Sequence, residues 1–151
     1  MNRVLIGMIA AYSLYGLSFL YADTPPRSAK PIAAVLELVT AGGYQSVTEI
    51  SYDDGYWEVE ALKGKAPVEL HIDPKSGEIV RERADGPHPQ LPAGAKTLGD
   101  IITALEKAGY GQIGKIELEH NGWEAEARRG VQWREILLDF DGKIISDHPE
   151  D

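Results

Sequence analysis

Glu69, His71 and Asp73 occupy alternate positions of the run Val68-Glu69-Leu70-His71-Ile72-Asp73, and an imidazole held between carboxylates is the material of a metal site or a pH switch. The run recurs 66 residues on as Glu135-Ile136-Leu137-Leu138-Asp139, with Leu137 where His71 stands. A solvated strand residue is therefore the plainer reading of His71. Glu58 and Glu60 alternate in the same way, as do Glu124 and Glu126. With Asp53-Asp54-Gly55 and Asp139-x-Asp141-Gly142 they could gather oxygens for calcium, but no stretch has the full ligand spacing of a calcium loop. Asp-Gly is ordinary turn chemistry, and Glu at alternate strand positions is the wet face of a sheet. Trp133, between Gln132 and Arg134, has the composition of an interface anchor, or else closes one end of a core. His88, His120 and His148 fall in linker, turn and tail. No Gly-x-Ser-x-Gly elbow, His-Glu-x-x-His, phosphate loop or cysteine nucleophile is present, so the sequence offers no catalytic residue, no dedicated metal ligand set and no cofactor.

The elements that position these residues come as two similar stretches, 32–80 and 98–145. Gly43-Tyr44 recurs as Gly109-Tyr110, Trp57-Glu58-x-Glu60-Ala61 as Trp123-Glu124-x-Glu126-Ala127, Gly64 as Gly130 and Asp73 as Asp139. The spacing is 66 residues until the last turn, where Asp73-Pro74-Lys75-Ser76-Gly77 is answered by the shorter Asp139-Phe140-Asp141-Gly142. Ile32, Val35, Leu36 and Val39 make an apolar stripe at helical spacing, as do Leu98, Ile101, Ile102 and Leu105. Pro31 suits a first helical turn, Thr97 with Asp100 resembles a capping box, and Gly42-Gly43 and Gly109 end the helices. The period then changes to two, with Trp57, Val59 and Ala61 facing one way, followed by Val68, Leu70 and Ile72. Asp53-Asp54-Gly55 and His120-Asn121-Gly122 read as hairpin turns.

An α+β fold of two tandem repeats is expected, each a helix packed on a three-stranded antiparallel meander, with Ile79-Val80 and Ile144-Ile145 as stubs of the third strand. The units span 31–82 and 97–148, joined by a Pro/Gly linker over 83–96 and preceded by a lead over 23–30. Paired edge to edge, the two meanders give one continuous sheet with both helices on one face. Residues 1–22, with Arg3 before an apolar run that ends at Ala22, read as a signal peptide, or as a membrane anchor if uncleaved. The domain is then periplasmic or secreted. Removing this segment takes away Arg3 and no acid, so the formal net charge moves from −9 to −10. Nucleic acid is an unsuitable partner for such a surface. The chain has no cysteine, so disulfides and thiol chemistry are excluded.

The order of helix, glycine cap, Trp-Glu-Val-Glu-Ala strand and Asp73-x-x-x-Gly77-Glu78-Ile79-Val80 ending resembles the PepSY domain family, whose signature ending is Asp-x-x-Thr-Gly-Lys-Val-Leu. Ser76 stands in place of the threonine, and both stretches carry Trp where the family often has Tyr. The resemblance covers nearly all the chain after residue 22, as two copies. It implies an extracytoplasmic, non-catalytic module that binds protein or peptide, an extracytoplasmic peptidase being the candidate partner. Glu58, Glu60, Glu69, His71, Glu124, Glu126, Trp133 and Glu135 are the expected partner-binding residues. An acidic ion-binding envelope protein and a structural accessory of an envelope complex are the alternatives.

Overall fold

The structure, a computed structural model, describes residues 23–150; the expected signal segment lies outside them. Two helices begin the two halves, α1 (Ile32–Ala41) and α2 (Leu98–Lys107). At the start of α2 the Asp100 carboxylate accepts the Thr97 backbone N–H at 2.9 Å and Thr97 Oγ1 accepts the Asp100 N–H at 3.3 Å, the reciprocal box that the sequence predicts. Pro31 is the N-cap of α1 rather than its first residue. Both stripes are buried, except that Leu36 is only partly covered.

Eight strands follow, β1 (Tyr44–Asp53), β2 (Tyr56–Lys63), β3 (Ala66–Ile72), β4 (Ile79–Ala84), β5 (Gln112–Glu119), β6 (Gly122–Arg129), β7 (Gln132–Leu138) and β8 (Ile144–Pro149). They form one antiparallel sheet in the order β4-β3-β2-β1-β5-β6-β7-β8. Each half thus has four strands, not three. The expected stubs are separate strands because the preceding turns reverse the chain. Asp73 Oδ1 accepts the backbone N–H groups of Lys75 and Ser76 at 2.9 and 2.7 Å, Gly77 takes a φ of +78°, and Ile79 returns to pair with Ile72. Asp139 accepts from Asp141 and Lys143 in the same manner. The connection to α2 consequently starts at Asp85.

The halves meet along β1 and β5, where Ile50 lies opposite Ile116, its counterpart 66 residues on, with Glu49 opposite Glu117 and Ser51 opposite Lys115. An antiparallel pair centred on matching positions relates its strands by a twofold axis normal to the sheet. Such an axis keeps both helices on one face. Their stripes and the inward residues of the strands form a single core, in which Trp57 and Trp123 are each 1% exposed. Each indole N–H donates to a backbone carbonyl just before a helix, Trp57 to Lys30 at 3.1 Å and Trp123 to Lys96 at 3.2 Å. Among the described residues, the other face of the sheet carries no helix.

Candidate functional site

Strand alternation sends the polar side chains to that helix-free face, and the register sets them in rows. Glu69, Glu60, Glu49, Glu117 and Glu124 lie directly opposite one another on the consecutive strands β3, β2, β1, β5 and β6. The neighbouring row runs His71, Glu58, Ser51, Lys115, Glu126 and Glu135. Like charges facing each other across strands are destabilising, so a row of five glutamates needs compensation.

It is compensated at its two ends. On the β3 side Arg83 reaches Glu69 at 2.6 Å and His71 Nε2 reaches it at 2.8 Å. Burial pushes the Glu69 carboxyl up, but the hydrogen bonds from Arg83 and His71 outweigh this and hold it below the usual range. On the β6 side Lys115 Nζ lies 2.7 Å from Glu117 and 3.0 Å from Glu124. Burial disfavours the Lys115 charge, but these two carboxylates overcome it and raise its pKa. In the centre the balance reverses. Glu49 accepts the Ser51 hydroxyl at 2.8 Å, yet burial, with the Glu117 charge second, pushes its pKa up to about 7. Burial likewise raises Glu60, which His88 only partly relieves from 3.9 Å, and raises Glu58.

The row brings together Glu60, Glu69 and Glu124 from the expected set, with Glu58, His71, Glu126 and Glu135 beside it. His71 is not a solvated residue: its side chain is 15% exposed and Nε2 also lies 3.3 Å from Glu58. Glu126 is 5% exposed, so it belongs to the floor of the face rather than its surface. Trp133 lies on the same face, half-buried over Gly114. A Cβ at Gly114 would stand 3.2 Å from its ring and 3.3 Å from Pro25, which shows how closely ring and lead segment pack there.

Glu49, Lys115 and Glu117 were not among the expected residues. Register shifts in β1 between Gln45 and Glu49, and in β5 between Ile113 and Lys115, break the alternation that would have marked them. His88 lies in the connecting segment between β4 and α2, where composition alone suggests exposure. Its side chain is instead 6% exposed, with Nε2 2.9 Å from Asp85. Three groupings among the described residues bring possible cation ligands within 4.8 Å of one another: Glu58, Glu69 and His71; Glu60, Asp85 and His88; and Asp23, Asp53 and Asp54. No helix among the described residues is long and apolar enough to cross a membrane.

Comparison with known proteins adds the following. The family model PepSY_2, peptidase propeptide and YPEB domain, matches residues 6–83, a little over half of the chain. No curated protein matches. Among solved structures, the chain is similar to a "putative lipoprotein" from Clostridium difficile 630, at 10% identity and a TM-score of 0.44, over 78% of this chain and 90% of that one.

Proposed function

The chain belongs to the PepSY_2 family of peptidase propeptide and YPEB domains, and from that membership we propose that it is a non-enzymatic binding module that docks a basic protein on its helix-free sheet face. Residues 97–148 are then a second copy of the domain, and the pairing of β1 with β5 merges the two acidic faces into one. The observation that carries this reading is the row of five glutamates, whose central members Glu49 and Glu60 are pushed toward neutrality by burial. Lysine or arginine side chains laid along the row would relieve that repulsion, and exposed complementary charge would speed their approach. The family description, with its peptidase propeptides, supports a peptidase outside the cytoplasmic membrane as the partner, held by occlusion of its surface.

Affinity capture tests this. Residues 23–151 immobilised against an envelope extract should retain a protein with a basic docking surface, and roughly 0.5 M salt should release it. Retention of only acidic proteins, or retention indifferent to salt, would remove the acidic face from consideration.

A second reading, cation binding, is favoured by the Glu58, Glu69 and His71 grouping. If it holds, micromolar calcium or zinc should raise the melting temperature through preferential binding to the folded state, and His71→Ala should abolish the rise. The docking account expects melts that are the same in chelator and in excess ion.

A further inference from the structure

The two halves differ at the start of their first strands. From Gln45 to Glu49 β1 advances four residues while β2 advances two, from Leu62 to Glu60, whereas from Ile113 to Lys115 β5 advances two while β6 advances one. β1 thus carries one surplus residue more than β5, and surplus residues bend a strand locally. Ser46, inside this bulge, is held at a φ of +50°, a conformation uncommon for residues other than glycine. Ser46 and its neighbours line a cavity of about 770 Å³ in the first half, within the roughly 300–1,000 Å³ typical of ligand sites. Leu36 of α1, Val47 of β1, Leu62 of β2, Pro89 and Leu91 of the connecting segment and Leu98 of α2 supply its apolar walls.

The charge of the lining departs from that of the chain. The sequence has 24 acidic residues against 15 lysines and arginines, yet no acidic residue lines the cavity, and Lys65 is the lysine or arginine that does. Lys65 lies in the exposed turn between β2 and β3, at the edge of the cavity, and makes no ion pair among the described residues. The carboxylates bonded to lining residues are already engaged. Glu82, which accepts the Tyr44 hydroxyl, is held by Lys63 at 2.8 Å, Asp85 by His88 at 2.9 Å, and Asp100 by the Thr97 backbone N–H at 2.9 Å. An apolar chamber with an unpaired cation at its edge suits a ligand with an apolar chain and an anionic head. Burial of the chain supplies most of the affinity, and the cation fixes which end faces solvent.

We propose that this cavity binds a long-chain carboxylate, its acyl chain among Leu36, Val47, Leu91 and Leu98 and its head beside Lys65. The site is independent of the docking reading, because none of the five glutamates of the row lines the cavity.

Decanoate, titrated into residues 23–151 below its aggregation concentration, should shift the methyl NMR signals of Leu36, Val47, Leu91 and Leu98 and saturate at one per chain. From hexanoate to decanoate each added methylene should tighten binding roughly threefold. Lys65→Glu, in an exposed turn, should leave the melt unchanged and weaken octanoate about fivefold at low salt. Octanol, with the same chain and no charge, should bind the variant and the wild type alike, and octylammonium should bind the wild type more weakly than octanoate does. Methyl signals that stay put, or affinities indifferent to chain length, overturn the cavity assignment whatever the fate of the acidic face. An equal effect of Lys65→Glu on octanoate and octanol, or octylammonium bound as tightly as octanoate, overturns the carboxylate head.

Discussion

Trp57→Ala and Trp123→Ala are each expected to remove about 3–5 kcal/mol of folding free energy, the usual cost of truncating a fully buried aromatic ring. Each ring is 1% exposed, so truncation leaves a cavity rather than a solvated gap. Each also loses the N–H bond that ties the sheet to the residue entering a helix, Lys30 or Lys96. Trp57 has an additional edge-on contact with Tyr52, ring centroids 5.4 Å apart, worth about 0.5–1.5 kcal/mol beyond burial. Of the two variants, Trp57→Ala should therefore be the less stable. Domains are commonly stable by only about 5–15 kcal/mol, so either loss is a large fraction of the total. Urea melts of both variants measure it, and a loss below about 1 kcal/mol at either site would contradict its place in the core.

Glu49→Gln should do the opposite and stabilise the protein by about 3 kcal/mol at pH 8. In the folded state burial and Glu117 raise the Glu49 pKa from 4.5 to about 7. Between these values the folded chain binds a proton that the unfolded chain has released, so stability falls as pH rises. The favourable contribution is fully present below about 4.5 and is lost once the pH has passed through about 7. Glutamine keeps the shape and can still accept the Ser51 hydroxyl, but it carries no charge to desolvate. The carboxyls held low by partners, among them Glu69, Asp85 and Asp147, titrate below this window and do not blur it. Denaturant melts at pH 5, 6, 7 and 8 should show the wild type losing stability across the series and the variant losing clearly less, the remaining slope coming from Glu58 and Glu60, which burial also raises. Identical slopes for the two proteins would show that Glu49 is not the group responsible.

The helices and inward strand positions could be read from residue types because each depends on a local period: the stripes from Ile32 and Leu98 at 3.6, the runs from Trp57 and Trp123 at 2. The fourth strands, legible only as stubs of the third at Ile79-Val80 and Ile144-Ile145, were hidden for the same reason. Every residue of β4 is exposed, and an edge strand with no buried side has no apolar alternation to detect. The acidic face was half visible. Glu58, Glu60, Glu69, Glu124, Glu126 and Glu135 lie on regular strands, whereas Glu49, Lys115 and Glu117 follow register shifts that displace them from any simple period. That the face is continuous depends on β1 meeting β5, a contact between residues 66 positions apart that no local pattern encodes. The burial of His88 is likewise a tertiary fact: the Pro-rich composition around it announces extension but not where the extended chain lies. Trp133 was distinguished by composition alone, and only its packing on Gly114 and Pro25 shows that its neighbours, not a partner, cover part of it.

The central claim is that the row Glu69, Glu60, Glu49, Glu117 and Glu124 steers a basic partner onto the sheet. Its most direct test is the association rate of the captured partner, measured against salt concentration for wild type and for a Glu58→Gln, Glu60→Gln, Glu124→Gln variant whose melt is no lower than that of the wild type. Glutamine removes the charge without burying a new one, and it leaves Lys115 paired with Glu117. The wild-type rate should fall steeply from about 0.02 to 0.3 M salt. The variant, which keeps Glu69, Glu49 and Glu117, should start several-fold slower at the low-salt end and fall less steeply across the range. A folded variant that associates at the wild-type rate, with the wild-type salt slope, would contradict the acidic face as the docking surface.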